Sequence, residues 1–268
     1  MPELPEVETI KNELLPHIKG RRFTGVKVYD SRPLQGCGID EFCDRLIGKE
    51  VQGLERRGKY IIIQLNGGEY LLIHLRMTGS LLWNPGGEVS FVRFEFFMDN
   101  GGRLVFCDTR RFGTINLTSH PEKIIGRLGI EPLSNDFTPQ ILRRLLKGHA
   151  VPIKSVMLNQ GLIAGIGNMY ADEALFAAGI HPQRPASSLT GTEITHLHHA
   201  IIAVLKKGIK NRGASIRNYR CPDGEPGHAH EEFAVAHRAE KQCPRCGNRI
   251  QRIVVSQRGT CFCPHCQH

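Results

Sequence analysis

No apolar run in the sequence approaches the roughly 20 residues of a membrane-spanning helix, and the acidic opening segment has neither the basic nor the apolar region of a secretory signal. Both absences point to a cytoplasmic protein with no membrane partner. In that reducing setting disulfides are not expected, so the nine cysteines are read as free thiols or metal ligands. No internal repeat is present, which argues against a solenoid or propeller. Acid is in deficit: 26 Asp and Glu stand against 35 Lys and Arg, a net charge of +9 that suits a polyanionic partner. What is present is enough for a globular core, since 268 residues with 40% hydrophobic content can build one large domain or two smaller ones.

The chain changes character along its length. An amphipathic helix opens it, with Val7, Ile10, Leu14 and Leu15 on one face. Residues 22 to 118 then read as strands, at Phe23 to Tyr29, Tyr60 to Leu65, Tyr70 to Arg76, Phe91 to Met98 and Arg103 to Cys107, separated by Gly and Asn-Gly turns. Only Asp40 to Ile47 interrupts them as a clear helix. Many short strands with little helix between them predict a sandwich or barrel. From Pro121 the spacing becomes helical, over 121 to 128, 138 to 147, 152 to 159, 168 to 178 and 190 to 210. The expected class is α+β, with a domain boundary around 119 to 136. Residues 213 to 241 lack periodicity and are expected to form a loop.

Three features carry chemistry. The first is Met1-Pro2-Glu3-Leu4-Pro5-Glu6-Val7-Glu8. A proline followed by acidic residues starts a helix well. If Met1 is removed, however, Pro2 becomes a secondary amine beside a carboxylate, and amines of that kind attack carbonyl carbons. The second is Cys243-Pro-Arg-Cys246 with Cys263-Pro-His-Cys266, two pairs separated by 16 residues, the spacing of a four-cysteine zinc site. Four thiolates close the coordination sphere, so one zinc ion there is expected to be structural. Cys261, His265 and His268 are nearby alternatives. Asn248 to Thr260 are expected to form a two-stranded ribbon with Arg258-Gly259 near its tip. The third is Lys154 followed by Asn159-Gln160-Gly161 and Gly165-Ile166-Gly167-Asn168, a glycine-rich double turn between helices. With Asn168 as N-cap, the following helix could receive a phosphate; simple packing of the turn is the other reading.

Taken together with Gly58-Lys59-Tyr60, His74-Leu-Arg-Met77-Thr-Gly79 and Asp108-Thr-Arg110-Arg111-Phe112-Gly113, these motifs, the stretch QGLIAGIGNMYADEALF and the ribbon resemble, in order and spacing, the bacterial formamidopyrimidine-DNA glycosylases. The resemblance covers nearly the whole chain. It implies an N-terminal β-sandwich catalytic domain (1–120), a helix-two-turn-helix domain (136–225) and a zinc ribbon (240–268), acting as a monomer on double-stranded DNA that contains oxidised purines. It places a cytoplasmic, nucleoid-associated enzyme in base-excision repair, with both glycosylase and abasic-site lyase activity. Pro2 would be the nucleophile and Glu3 the general acid or base. Lys59 would assist β-elimination and Arg258 δ-elimination. Met77, Arg110 and Phe112 would fill the space left by an extruded nucleotide. By family position Lys154 and Asn168 would contact phosphates near the lesion, and Arg111 and His74 would be further DNA-binding residues.

Departures from the family pattern are few and local. Ser90-Phe91-Val92-Arg93 stands where a His-x-His segment is usual, with Arg93 in the place of a phosphate-contacting histidine. Val235-Ala236-His237-Arg238 replaces Val-Tyr-Gly-Arg, and residues 221 to 233 differ as well. Lesion preference is therefore the least transferable property. Two other readings stand beside this one: an endonuclease VIII-like glycosylase acting on oxidised pyrimidines, and a DNA-damage binding protein without catalysis. Met77 with Arg110-Arg111-Phe112 speaks against the first, and intact Pro2, Glu3 and Lys59 against the second.

Overall fold

The computed structural model describes residues 1–268. It divides into two compact units, one of residues 1–127 with 211–228 and one of residues 128–210 with 229–268. No helix is long and apolar enough to cross a membrane.

The first unit contains α1 (Leu4–Ile18), β1 (Phe23–Val28), β2 (Leu34–Gln35), α2 (Ile39–Leu46), β3 (Val51–Arg57), β4 (Tyr60–Leu65), β5 (Glu69–His74), β6 (Gly79–Trp83), β7 (Val92–Met98), β8 (Arg103–Asp108), β9 (Thr114–Thr118) and the short α3 (Glu122–Ile125). The strands form two sheets, in the orders β1-β7-β8-β6 and β2-β9-β5-β4-β3. Alternate side chains from both sheets enter one core: Phe94, Phe96, Leu104 and Phe106 from the first, and Ile61, Ile63, Leu71 and Ile73 from the second. This is the period-two burial that a sandwich requires. Val7, Ile10, Leu14 and Ile18 of α1 join the same core, as the helical spacing predicts.

Two chain crossings between the sheets matter for the site. Residues 75–78 carry the chain from β5 to β6, and residues 109–113 carry it back from β8 to β9. Gly79 pairs with Asp108 on one sheet and His74 with Thr114 on the other, so the two crossings run side by side.

The second unit contains α4 (Pro139–Leu146), α5 (Ile153–Leu158), α6 (Asn168–Ala178), α7 (Gly191–Lys210), β10 (Gln251–Val255) and β11 (Arg258–Phe262). The ribbon β10–β11 is joined to the helices by a shared core of Phe176, Val235, Ile250, Cys261 and Cys263. Ser256 and Gln257, at φ 47° and 61°, make the two-residue turn between its strands.

The compact units divide the chain differently from the boundaries 1–120, 136–225 and 240–268. Residues 211–228 pack with the sandwich, because Arg212 pairs with Glu13 at 2.7 Å and the Ala214 N–H donates to Glu6 at 2.8 Å. The segment 213–241 is irregular apart from a short helical turn at 229–232, and backbone hydrogen bonds tie it down along its length.

Candidate functional site

In the first unit Met1 is exposed and the residues that follow it lie inside the fold. Pro2 is buried, and Glu3 is only 3% exposed. Glu3 caps α1 in an extended conformation, and its N–H donates to the Glu6 carboxylate at 2.7 Å. Burial holds the N-terminal ammonium below its ordinary value, and the charges that bear on it are Glu3, Glu6, Lys59 and Arg217. The turn at Gly58 brings Lys59, 5% exposed, to the start of β4. An amine, two carboxylates and a lysine are therefore gathered at one end of α1. Such a set can attack an electrophilic carbon and move protons around it.

His74 belongs to the same surroundings. Burial, with the charges of Arg76 and Lys59 adding to it, pulls its pKa down to about 3. Its Nδ1 accepts the Arg76 N–H at 3.0 Å, so the proton of the neutral ring sits on Nε2. His74 can thus offer an N–H but no positive charge.

The two crossings between the sheets present the trio. Met77 and Phe112 are 41% and 52% exposed. The Arg110 guanidinium lies 4.7 Å over the Phe112 ring. Arg111, at φ 61°, turns back to meet Asp30 at 3.1 Å. Arg93 does not stand free to meet a phosphate. It is buried, its Nε donates to the Asp108 carbonyl at 2.8 Å, and its Nη1 lies 3.6 Å from Asp30. Replacing a short ring with a long guanidinium at this position lets it reach inward partners.

In the second unit the structure separates Lys154 from the role of an exposed phosphate ligand. The side chain is wholly buried; its Nζ lies 2.5 Å from Asp172 Oδ1 and donates to Thr260 Oγ1 at 2.7 Å. Asn168 is the first residue of α6 rather than its cap, a position taken by Gly167 with no side-chain bond. The Asn168 amide instead donates to the Gly259 carbonyl at 2.9 Å. The double turn itself is held by Gln160, which donates to Leu158 and Ile166 carbonyls and accepts from Gly165 N–H. Arg258 is exposed at the head of β11. The Thr260 hydroxyl donates to its carbonyl at 3.1 Å while accepting from Lys154, so both helix residues fasten the ribbon tip that carries Arg258.

The four cysteine sulfurs lie within 4.8 Å of one another. Tetrahedral zinc with bonds near 2.3 Å separates its sulfurs by about 3.8 Å. Cys246 to Cys263 is 3.5 Å and Cys243 to Cys266 is 4.0 Å, on either side of that value. Within the cluster the Asn248 N–H is the chief cause that holds the Cys246 thiol down, at about 6, while burial pushes the Cys263 and Cys266 thiols up. Cys261, His265 and His268 are not in the cluster. Cys261 is part of the apolar core, and its N–H donates to Asp172 at 3.0 Å.

Residues 1–115 match the Formamidopyrimidine-DNA glycosylase N-terminal domain, 128–220 the Formamidopyrimidine-DNA glycosylase H2TH domain, and 240–268 the zinc finger found in FPG and IleRS. The formamidopyrimidine-DNA glycosylase of Chloroflexus aurantiacus is 45% identical, over 100% of this chain and 98% of that protein. The chain belongs to the formamidopyrimidine-DNA glycosylase family. A glycosylase of Carboxydothermus hydrogenoformans is 42% identical over the full length of both proteins. Among solved structures, a Lactococcus lactis Fpg mutant in complex with Fapy-dG-containing DNA superposes with a TM-score of 0.92 at 36% identity, covering 100% of both chains. MutM (Fpg) of Thermus thermophilus superposes at 0.90 with 38% identity, covering 99% of this chain and 98% of that one. The ribbon is accordingly a zinc finger with one four-cysteine site, whose zinc would hold the two knuckles together and leave no ligand position open.

Glu6, Asp108 and Asp172 stand in the sequence motifs without an assigned role, Arg217 stands outside them, and the fold gives all four their partners. Glu6 had a local signal, since a carboxylate three residues after a helix cap is the capping-box position. Asp172 lies one turn into α6, on a face whose partners come from residues 154 and 261.

Proposed function

We propose that this chain is a bifunctional DNA glycosylase and abasic-site lyase of base-excision repair, acting on 8-oxoguanine and formamidopyrimidines in double-stranded DNA. The observation that carries the reading is the start of α1, where Pro2, Glu3, Glu6 and Lys59 are buried and Glu3, Glu6, Lys59 and Arg217 bear on the Met1 amine. Removal of Met1 makes the Pro2 nitrogen that amine.

The free Pro2 nitrogen attacks C1′ of the damaged nucleotide, and the base leaves with the electron pair of the glycosidic bond. Glu3 handles the proton transfer that opens the sugar ring, which leaves an imine between Pro2 and C1′. The imine is an electron sink. It acidifies the C2′ protons, so loss of one breaks the C3′–O bond; a second elimination, with Arg258 at the phosphate, breaks the C5′–O bond. Lys59 supports the first of these steps. A one-nucleotide gap flanked by phosphates results.

Extruding the nucleotide costs a few kcal/mol. Met77 and Phe112 offset part of that by occupying the stack, and Arg110 supplies hydrogen-bond donors to the unpaired base opposite. Their exposure in the free protein supports this role.

The test is borohydride trapping on a panel of duplexes with oxidised purines and oxidised pyrimidines, using wild type and Pro2→Gly, with the mature N-terminus read by mass. A covalent adduct on 8-oxoguanine paired with cytosine, lost in Pro2→Gly, is the expected result. Adducts on oxidised pyrimidines alone would favour the endonuclease VIII-like reading. Strand nicking undiminished in Pro2→Gly, without any adduct in wild type, would overturn the mechanism.

A further inference from the structure

We propose that Asp108 is a positioning residue whose single carboxylate fixes the two insertion turns, the one carrying Met77 and the one carrying Arg110 and Phe112, relative to each other. The proposal rests on the reading of those three side chains as the group that replaces an extruded nucleotide.

Asp108 ends β8 and has no exposed surface. Three donors converge on its carboxylate from the two turns. Oδ1 accepts the Thr78 hydroxyl at 2.5 Å and the Arg110 N–H at 3.1 Å, and Oδ2 accepts the Gly113 N–H at 2.7 Å. The Arg110 N–H also reaches Thr78 Oγ1 at 3.1 Å, so the neighbour of Met77 touches the backbone of Arg110 directly. The turn closes tightly around the group. A Cβ at Gly113 would stand 3.2 Å from Oδ2 and 2.6 Å from the Phe106 ring. From behind, the Asp108 carbonyl accepts from Arg93, and Arg93 and Arg111 share Asp30.

Only an acceptor at both ends satisfies this arrangement. An amide in place of the carboxylate would turn an NH2 group toward either Gly113 N–H or the Thr78 and Arg110 donors. Sheet pairing already sets β6 beside β8 and β5 beside β9, but it ends at Gly79, Asp108, His74 and Thr114. Beyond those residues the crossings are joined by the carboxylate together with the Thr78 hydroxyl that it holds. Met77 and Phe112 must enter one base stack in one step, and a misplacement of about 1 Å in such a group can lower a rate by ~100-fold. The effect of loosening Asp108 should therefore fall on extrusion from duplex, and much less on chemistry at a sugar that is already accessible.

Asp108→Asn and Thr78→Val, each in the full chain, test this, with Thr78→Ser as the conservative variant. Thr78 is only half-buried, so its variants test the link even if Asp108→Asn does not fold. Three readouts are needed: single-turnover excision of 8-oxoguanine from duplex, borohydride trapping on a single-stranded abasic oligonucleotide, and the fluorescence rise of 2-aminopurine beside the lesion. Duplex excision is expected to fall ~10- to 100-fold, at least tenfold more than single-strand trapping, with a slower fluorescence rise; Thr78→Ser should restore both. Wild-type excision and fluorescence in the variants, or an equal fall on both substrates, would overturn the proposal alone. A wild-type chain that traps no single-stranded abasic DNA would overturn the enzymatic reading and this proposal with it.

Discussion

Lys154 Nζ lies 2.5 Å from Asp172 Oδ1, in an ion pair whose side chains are 0% and 3% exposed. Burial pushes the Asp172 carboxyl up to about 6, with Lys154 pulling the other way. Around this pair the Cys261 N–H, the Thr260 hydroxyl and, through Asn168, the Gly259 carbonyl are tied to α5 and α6. The pair therefore sets the ribbon tip on which Arg258 stands.

Removing one member should act on folding before it acts on DNA contact. Lys154→Met leaves a buried carboxylate without its counter-charge, a change that typically costs ~3–5 kcal/mol. Chemical denaturation should show that loss, while the slope of log K against log salt for duplex DNA stays at the wild-type value. A phosphate-contacting lysine behaves oppositely: stability is kept and the slope shrinks by about one. That second pattern would return Lys154 to the DNA surface.

The difference between these two roles marks what the sequence alone could convey. Zinc ligands were legible because each pair is a local C-x2-C turn, and β4 because Ile61, Ile62 and Ile63 form an apolar run between glycine turns. Strand β3 was not, since a register shift between Val51 and Gly53 breaks its alternation. The predicted helix over 121–128 shrinks to Glu122–Ile125, where Gly126 caps it. In the site, residue types were readable but partners were not. Lys154 meets Thr260 across 106 positions and Glu6 meets Ala214 across 208, and only the folded chain brings them together. A lysine followed by a glycine-rich turn looks the same whether its charge faces a phosphate or a buried aspartate.

Gly213 is the place where the long return of the chain onto α1 can be tested. Its φ is 77°, in the left-handed region, and an added Cβ would stand 2.8 Å from Glu6 Cγ and 2.9 Å from Glu6 Oε1. Gly213→Ala combines a backbone penalty of about 1 kcal/mol with displacement of a buried carboxylate that accepts from Glu3 and Ala214. We expect a loss of ~2–4 kcal/mol in stability, together with slower imine trapping, because Glu6 bears on the N-terminal amine. An unchanged melting temperature would mean that the 211–228 segment yields without moving Glu6.

Zinc removal should be a local event with a global consequence. The ribbon shares its core with Phe176 of α6, and Cys243, Cys263 and Ile250 lie in that core. Chelation, or Cys246→Ser, should unfold the ribbon, release Arg258 from its fastening and abolish duplex binding, since structural zinc supplies folding free energy directly. Zinc content by metal analysis and DNA affinity by anisotropy are the measurements. Retained affinity in metal-free protein would show that the ribbon is dispensable for binding.

His74 gives the first unit a pH dependence of definite sign. Its pKa falls from an ordinary 6.5 to about 3 on folding, chiefly through burial. Below pH 6.5 the unfolded chain binds a proton that the folded chain refuses, so stability must fall as pH drops from 6.5 toward 3 and be constant, for this group, above that window. The slope from one such group approaches ~1.4 kcal/mol per pH unit within the window. His74→Asn keeps a short acceptor for the Arg76 N–H and carries no titrating ring, so its stability should vary less steeply with pH over the same range. Denaturant midpoints at pH 7.5, 6 and 5 for the two proteins make the comparison. Parallel pH profiles for wild type and His74→Asn would mean that the ring takes up its proton in the folded state as readily as in the unfolded chain.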